Sequence, residues 1–361
     1  MMKMIAFKRM PFFLMAACAV VLVGCDDEKA PEPKQPKAAA VVEESGEECL
    51  QRAIDKLSGE GKDIEAADAA AKKALELMPD SAEARLVDGQ AAYMKKDYKR
   101  AIADFDAVVA EKSLPPALRA EALVSRAVVE IAQNEFDTAR LTLFRALHLD
   151  HRNAAAWYHL GLLSRNTYQF DEAAVEQFEM AARLSAPGDP RTKKLSREVI
   201  PAIRASLAAA AASRPGAAKR DAGAAAKLIA EAEALRKKRQ IRAAMKKYEA
   251  ALAADPFSYP AARELAYLVS LNDKTADGVD KALRAYRVAI DLRPVVQDNY
   301  YAAAQLAYAN KRWATAVSIL DRAIAHDPEN HKTLDLYIAA LQKAGREKHL
   351  NAWKAYRQEL K

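Results

Sequence analysis

A proline returns at a set interval after helical runs of this chain. "LRPVV" ends one run at Pro294, and "DPEN" ends the next at Pro328, 34 residues later. "DPFS" closes a run at Pro256, and "MPDS" closes one at Pro79. Proline lacks the amide that a helix needs and clashes with the turn before it, so each marks a stop. Residues before each stop fall in matching places. Ala244, Tyr248 and Ala251 lead to Pro256; Ala282, Tyr286 and Ala289 lead to Pro294. Ala316, Leu320 and Ala323 lead to Pro328; Ala67, Ala71 and Ala74 lead to Pro79. Self-similarity at such a period predicts one supersecondary unit repeated and stacked. The unit is helical. Alanine carries much of the 51% hydrophobic share while aromatics make only 7% and glycines number 11, which favours helix. Alternating β-branched runs between Gly or Asn turns are nearly absent, so strands are not expected.

The clearest unit reads "AAWYHLGLL", with Trp157, Leu160 and Gly161, followed by Phe170, Ala173 and Ala181. These residues resemble the tetratricopeptide repeat, a pair of antiparallel helices with the pattern Trp-x2-Leu-Gly-x2-Tyr, Ala-x3-Phe-x2-Ala, then Pro. Small residues such as Gly161 and Ala173 let the paired helices approach, and large ones such as Trp157, Tyr248 and Tyr286 fill the gaps between pairs. The resemblance implies an all-α fold, an α-α superhelix of about seven to eight helical hairpins. In register, repeats fall at 48–81, 82–115, 120–153 and 154–187, then at 225–258, 259–296, 297–330 and 331–361. His151 stands where the third repeat would carry its proline, and "DKTADG" is an insertion within the sixth. "HLNAWKAYRQELK" reads as an amphipathic cap for the second group. Residues 46–187 thus form a first array and 225–361 a second. Between them, 188–224 is an Ala/Pro-rich stretch of one repeat length, with a helix expected at 191–212 and a kink near Pro201. It is either a decayed repeat or a hinge; the sequence leaves both open.

The start of the chain has a separate logic. Lys3, Lys8 and Arg9 form a basic region, and Phe12 to Val23 is almost wholly apolar. That run has the length of a signal-peptide core and is short for a membrane-spanning helix. Leu22-Val23-Gly24-Cys25 resembles the lipobox of bacterial lipoproteins. The resemblance implies cleavage after residue 24, a lipid on Cys25, and a chain held at the bacterial cell envelope facing the periplasm. An uncleaved anchor is the bland alternative. Asp26 and Asp27 resemble an inner-membrane retention signal of enteric bacteria, which leaves inner against outer membrane open. Residues 25–45, rich in Pro, Lys, Glu and Ala, read as a disordered tether.

Charge and reactive residues exclude more than they assign. The formal charge of +7 falls to +4 once Lys3, Lys8 and Arg9 leave with residues 1–24, a mild excess that argues weakly for nucleic acid. Of three cysteines, only Cys49 would remain free; it reads as a small buried residue or as a thiol that pairs with another molecule. "GEGKD" at 59–63 lacks Walker spacing, and no Gly-x-Ser-x-Gly elbow occurs. His148 and His151 lie at a helix end, where they complement the dipole, and His326 and His331 read the same way. The acids read as solvated helix faces. No catalytic residue, metal site or cofactor is expected, and the chain is not read as an enzyme. What remains is surface. In the resembled family the first helices form a concave wall that binds peptide segments. The matching positions are Tyr93, Tyr158, Arg165, Asn166, Arg236, Arg263, Tyr267, Tyr301, Gln305 and Tyr308. Tyr and Arg are enriched at binding hot spots, although tyrosines also pack between repeats. The expected role is a lipid-anchored envelope scaffold that binds a protein partner through this groove, with no nucleic acid. The alternative is a non-catalytic regulator or substrate-presenting partner of an envelope enzyme acting on peptidoglycan or polysaccharide.

Overall fold

A computed structural model describes residues 44–58, 63–186 and 188–360. The expected signal peptide, the Cys25 lipid site, nearly all of the tether and most of the "GEGKD" segment lie outside these residues. Every regular element among the described residues is a helix. They form eight hairpins: α1 (Gly46–Ser58) with α2 (Ile64–Leu77), α3 (Ala82–Met94) with α4 (Tyr98–Ala110), α5 (Pro116–Ala132) with α6 (Phe136–Leu149), and α7 (Ala154–Asn166) with α8 (Asp171–Leu184). After a connecting segment come α11 (Ala222–Lys237) with α12 (Ile241–Ala254), α13 (Tyr259–Asn272) with α14 (Ala276–Leu292), α15 (Gln297–Ala309) with α16 (Trp313–His326), and α17 (His331–Lys343) with α18 (Glu347–Glu359). The chain divides into two compact units, one ending at Ala110 and the other beginning at Glu111.

Alanine packing makes the hairpins tight. Ala67, Ala71, Ala74, Ala244, Ala251, Ala282, Ala289, Ala316 and Ala323, read from the repeat, are all fully buried. Gly89 lies against the ring of Phe105 and Gly161 against that of Phe178, so close that an added Cβ would meet the ring at 2.6 and 2.5 Å. Cys49 is buried in α1, and burial pushes its thiol pKa up. The first unit also buries Asp68, Asp88 and Asp104, against the expectation that acids sit on solvated faces. Arg100 accounts for two of them: its guanidinium bonds Asp68 and lies 3.6 Å from Asp88.

One local device recurs within the hairpins. The first helix ends with a residue in the left-handed region: Lys96, Asn134, Gln169, Arg239 and Lys311, with φ between 57° and 66°, and Gly345 at 68°. The next amide then reaches back to a carbonyl inside the helix, as Glu135 does to Glu130 (2.8 Å), Gln240 to Leu235 (2.9 Å) and Arg312 to Ala307 (2.9 Å). This closure satisfies carbonyls the helix end would leave open. The "DKTADG" insertion does not loop out. It extends α14 to 17 residues, with Thr275 Oγ1 accepting from the Gly278 amide at 3.1 Å.

The connecting segment is one helical rod: α9 (Pro190–Lys194), a π-helical turn (Leu195–Val199) and α10 (Ile200–Ala212). The irregularity falls just before Pro201. With no amide of its own and a ring that crowds the preceding turn, Pro201 favours a widened turn, and the Ile200 amide bonds Leu195 instead. The rod buries Leu195, Ile200 and Ile203 against Ala174 and Phe178 of α8.

The second unit also closes on itself. The second helices α16 and α18 pack on the second helices α8 and α6. Phe144 meets Trp353 and Tyr356, with ring centroids 6.2 and 6.3 Å apart. Around them, Arg145 binds Glu359 through Nε and Nη2 (2.9 and 3.0 Å), and the Gln177 amide donates to the Ala325 carbonyl (2.9 Å). Arg140, only 3% exposed, pairs with Asp321 at 2.8 Å beneath the rings of Tyr168 and Trp353, and Tyr337 donates to the same carboxylate at 2.7 Å. His148 and His326, read from sequence as dipole partners of their own helices, instead face Glu329 (3.0 Å) and Glu176 (2.8 Å) across this contact. The expected cap α18 therefore also covers α6.

Candidate functional site: the first-helix face of the second array

The second helices α6, α8, α16 and α18 cover one another, whereas first helix α13 leaves large apolar side chains open. On α13, Ala261, Ala262, Leu265, Ala266, Leu268 and Val269 face the core. The opposite stripe is Arg263, Tyr267 and Leu271, spaced four apart and hence on one line of the helix. Tyr267 is 49% exposed and Leu271 52%, which makes them two of the few large apolar residues that the described chain leaves open. Leu271 was not among the residues read from sequence, although its place one turn beyond Tyr267 could have shown it.

The neighbouring helices complete the face. On α15, Tyr301, Gln305 and Tyr308 are spaced four and three apart and so share one face; the tyrosines are half-buried, Gln305 is exposed, and its amide donates to the Tyr301 hydroxyl at 3.4 Å. On α11, Arg236 reaches Glu264 of α13 at 2.8 Å, and Arg263 bonds the other oxygen of the same carboxylate at 2.8 Å. Glu264, also absent from the sequence reading, thus joins two repeats and leaves the trio one net positive charge. These pairs are exposed, so they contribute little energy and can exchange for a partner's carboxylate. Burial raises the Tyr286 hydroxyl pKa beneath this face, opposed by a hydrogen bond with Ser270.

The remaining residues read from sequence are placed differently. Tyr158 of α7 is half-buried, edge-on to His159 (5.4 Å) and near Phe178 (6.1 Å), and packs against the cluster that holds α10. Arg165 and Asn166 close the C-terminal end of α7, half-buried and exposed respectively. Tyr93 belongs to the first unit, half-buried with its ring 6.1 Å from Tyr98. Among the described residues, no three His, Cys, Asp or Glu side chains come together as metal ligands.

Stacked helical hairpins with small residues at their crossing points define an α-α solenoid. A model of the tetratricopeptide repeat matches residues 60–116, 117–190 and 274–331, together more than half of the chain. The chain belongs to the tetratricopeptide-repeat family. No curated protein matches it. Among solved structures, it is similar to the MamA protein at 14% identity, over 57% of this chain and 91% of that one, with a TM-score of 0.32. It is similar to the TPR2AB domain of yeast Sti1 in complex with pHSP90 at 18% identity, over 72% and 98%, with a TM-score of 0.30. The third is YrrB, a TPR protein with an unusual peptide-binding site, at 18% identity, over 64% and 96%, with a TM-score of 0.27. These likenesses are distant, and the family assignment rests on the repeat matches.

Proposed function

We propose that this protein is a non-catalytic scaffold that holds a protein partner on the first-helix face of its second array, and that a lipid on Cys25 ties it to a bacterial envelope membrane. The observation that carries the first part is the open Tyr267–Leu271 pair, flanked by the Arg236–Glu264–Arg263 trio. An apolar centre with a charged rim is the usual build of a protein interface. Helix α13 leaves that pair in solvent while its Ala, Val and remaining Leu residues are buried. In the repeat family, this is the side that receives peptide segments. Support for the anchor comes from the ordered run of basic residues, apolar core and Leu22-Val23-Gly24-Cys25.

The two parts are tested separately. Cys25→Ser should release the chain from sedimented membranes; retention would defeat the lipid anchor. Tyr267→Ala with Leu271→Ala should abolish co-isolation of one stoichiometric partner while the circular dichroism of the variant stays unchanged. Undiminished co-isolation would remove this face as the binding surface.

A further inference from the structure

The turn between α11 and α12 carries a dense run of positive charge. "RKKRQIRAAMKK", residues 236–247, holds seven cations and no acid. Two are engaged within the protein: Arg236 with Glu264, and Lys247 with Glu231 at 2.6 Å. Lys237, Lys238, Arg239, Arg242 and Lys246 are exposed, and none pairs with a carboxylate among the described residues. Arg239 is the left-handed residue at the turn's tip, and Arg242 and Lys246 stand one turn apart on α12. The acid nearest in effect is Asp273 in the neighbouring turn. It is held by the Thr275 amide (3.1 Å) and hydroxyl, and it feels Arg242 without pairing with it. Lys274, exposed, adds a cation in that same turn.

Five unpaired cations at a hairpin tip repel one another, and an anionic partner relieves that cost. Its chemistry follows from what the patch lacks. No aromatic residue lies within 236–247, so bases have no stacking platform. The five cations are exposed, on long side chains and at the end of a hairpin. Nothing there fixes a single carboxylate or phosphate in one geometry. A run of exposed, unpaired cations suits a broad layer of negative charge. We infer that the α11–α12 turn is a docking surface for the anionic headgroup layer of a phospholipid membrane. The attraction acts within a Debye length and adds per cation, so it is graded by salt and by the number of charges. It makes no use of Cys25 and orients the second array whatever holds the chain at the membrane.

The test places a benzophenone photo-crosslinker at Gln240, exposed in the turn, in the full-length chain. A control places it at Gln133, in the α5–α6 turn beside Glu135. Each protein is mixed with vesicles of phosphatidylcholine alone or of phosphatidylcholine with phosphatidylglycerol, and lipid adducts are counted per vesicle-bound molecule, so that the behaviour of residues 1–43 cancels. Gln240 should label lipid on anionic vesicles only, and Gln133 on neither. Changing Lys237, Lys238 and Arg242 to Gln and Arg239 to Asn should reduce labelling by on the order of a thousandfold. High salt should do the same. Equal labelling from both turns, or labelling indifferent to the charge variant, would overturn the inference. So would preferential labelling of a single-stranded RNA oligonucleotide offered together with the vesicles.

Discussion

Replacing Gly161 with Ala tests how these hairpins hold together. A Cβ at 161 would stand 2.5 Å from Phe178 Cε1, 2.6 Å from Cδ1 and 3.0 Å from Cγ. Carbon pairs prefer about 3.5–4.0 Å, so the ring must retreat by roughly 1 Å. It cannot do so by swinging its tip, because Cγ, nearest the backbone, is one of the three atoms touched. Nor is there room behind it. Phe178 is fully buried among Ala174, Ala181 and Ile203. Overpacking of this kind costs about 1–3 kcal/mol. Alanine returns about 1 kcal/mol through its better helix propensity. The net expectation is a loss of up to about 2 kcal/mol, read as faster hydrogen exchange of α7 and α8 amides and a lower urea midpoint. Phe178→Leu removes the obstructing ring edge, so the double variant should lose less than the sum of the two single ones. Gly89→Ala should cost less, because its Cβ meets Cε1, Cδ1 and Cζ of Phe105, the outer part of a ring that can tilt. A Gly161→Ala protein as stable as the parent, with no coupling to position 178, would refute the close-approach argument.

Three further outcomes follow from the structure. Burial, then the neighbouring Asp88, raises the Asp104 carboxyl to about 7, and Asp88 Oδ1 and Asp104 Oδ2 find a partner only if one of the two acids keeps its proton. Stability from this group is full below the unfolded value near 4 and declines as pH rises to about 7, so Asp104→Asn should stabilise the first unit at pH 8 by on the order of 2 kcal/mol and flatten its pH profile, measured by thermal unfolding. Asp321→Ala should destabilise the second unit by about 3–5 kcal/mol, since it strands the buried Arg140 guanidinium, and adding Arg140→Met should recover most of that in urea unfolding. Lys311→Gly should leave the unfolding free energy in urea unchanged or raise it by up to about 1 kcal/mol, because glycine adopts the left-handed turn without strain.

The sequence made the hairpins legible because proline stops and small crossing residues are local signals with a fixed period. Gly161, Ala244 and Ala316 appear in the structure as the spacing required. The turn caps were not legible, since Lys96, Asn134, Gln169, Arg239 and Lys311 hold a conformation that glycine would have advertised. The closure of α16–α18 on α6 and α8 was hidden for another reason. Arg140 and Asp321 lie 181 residues apart, and no periodicity records which convex faces meet. Tyr158 shows the limit at the site: its register position matches a groove residue, but the added helix α10 and Phe178 draw it into packing. Tyr267 remained open because α13 has no such neighbour over it.

The first-helix face of the second array is the proposed working surface. The most direct measurement is photo-crosslinking in the native cell, with the crosslinker at Tyr267 on α13 and, separately, at Arg287 on the outward side of α14. One dominant adduct from Tyr267, absent from Arg287, is the predicted result, and mass spectrometry of that adduct names the partner. Adducts equal at both positions, or none from Tyr267, would contradict the account.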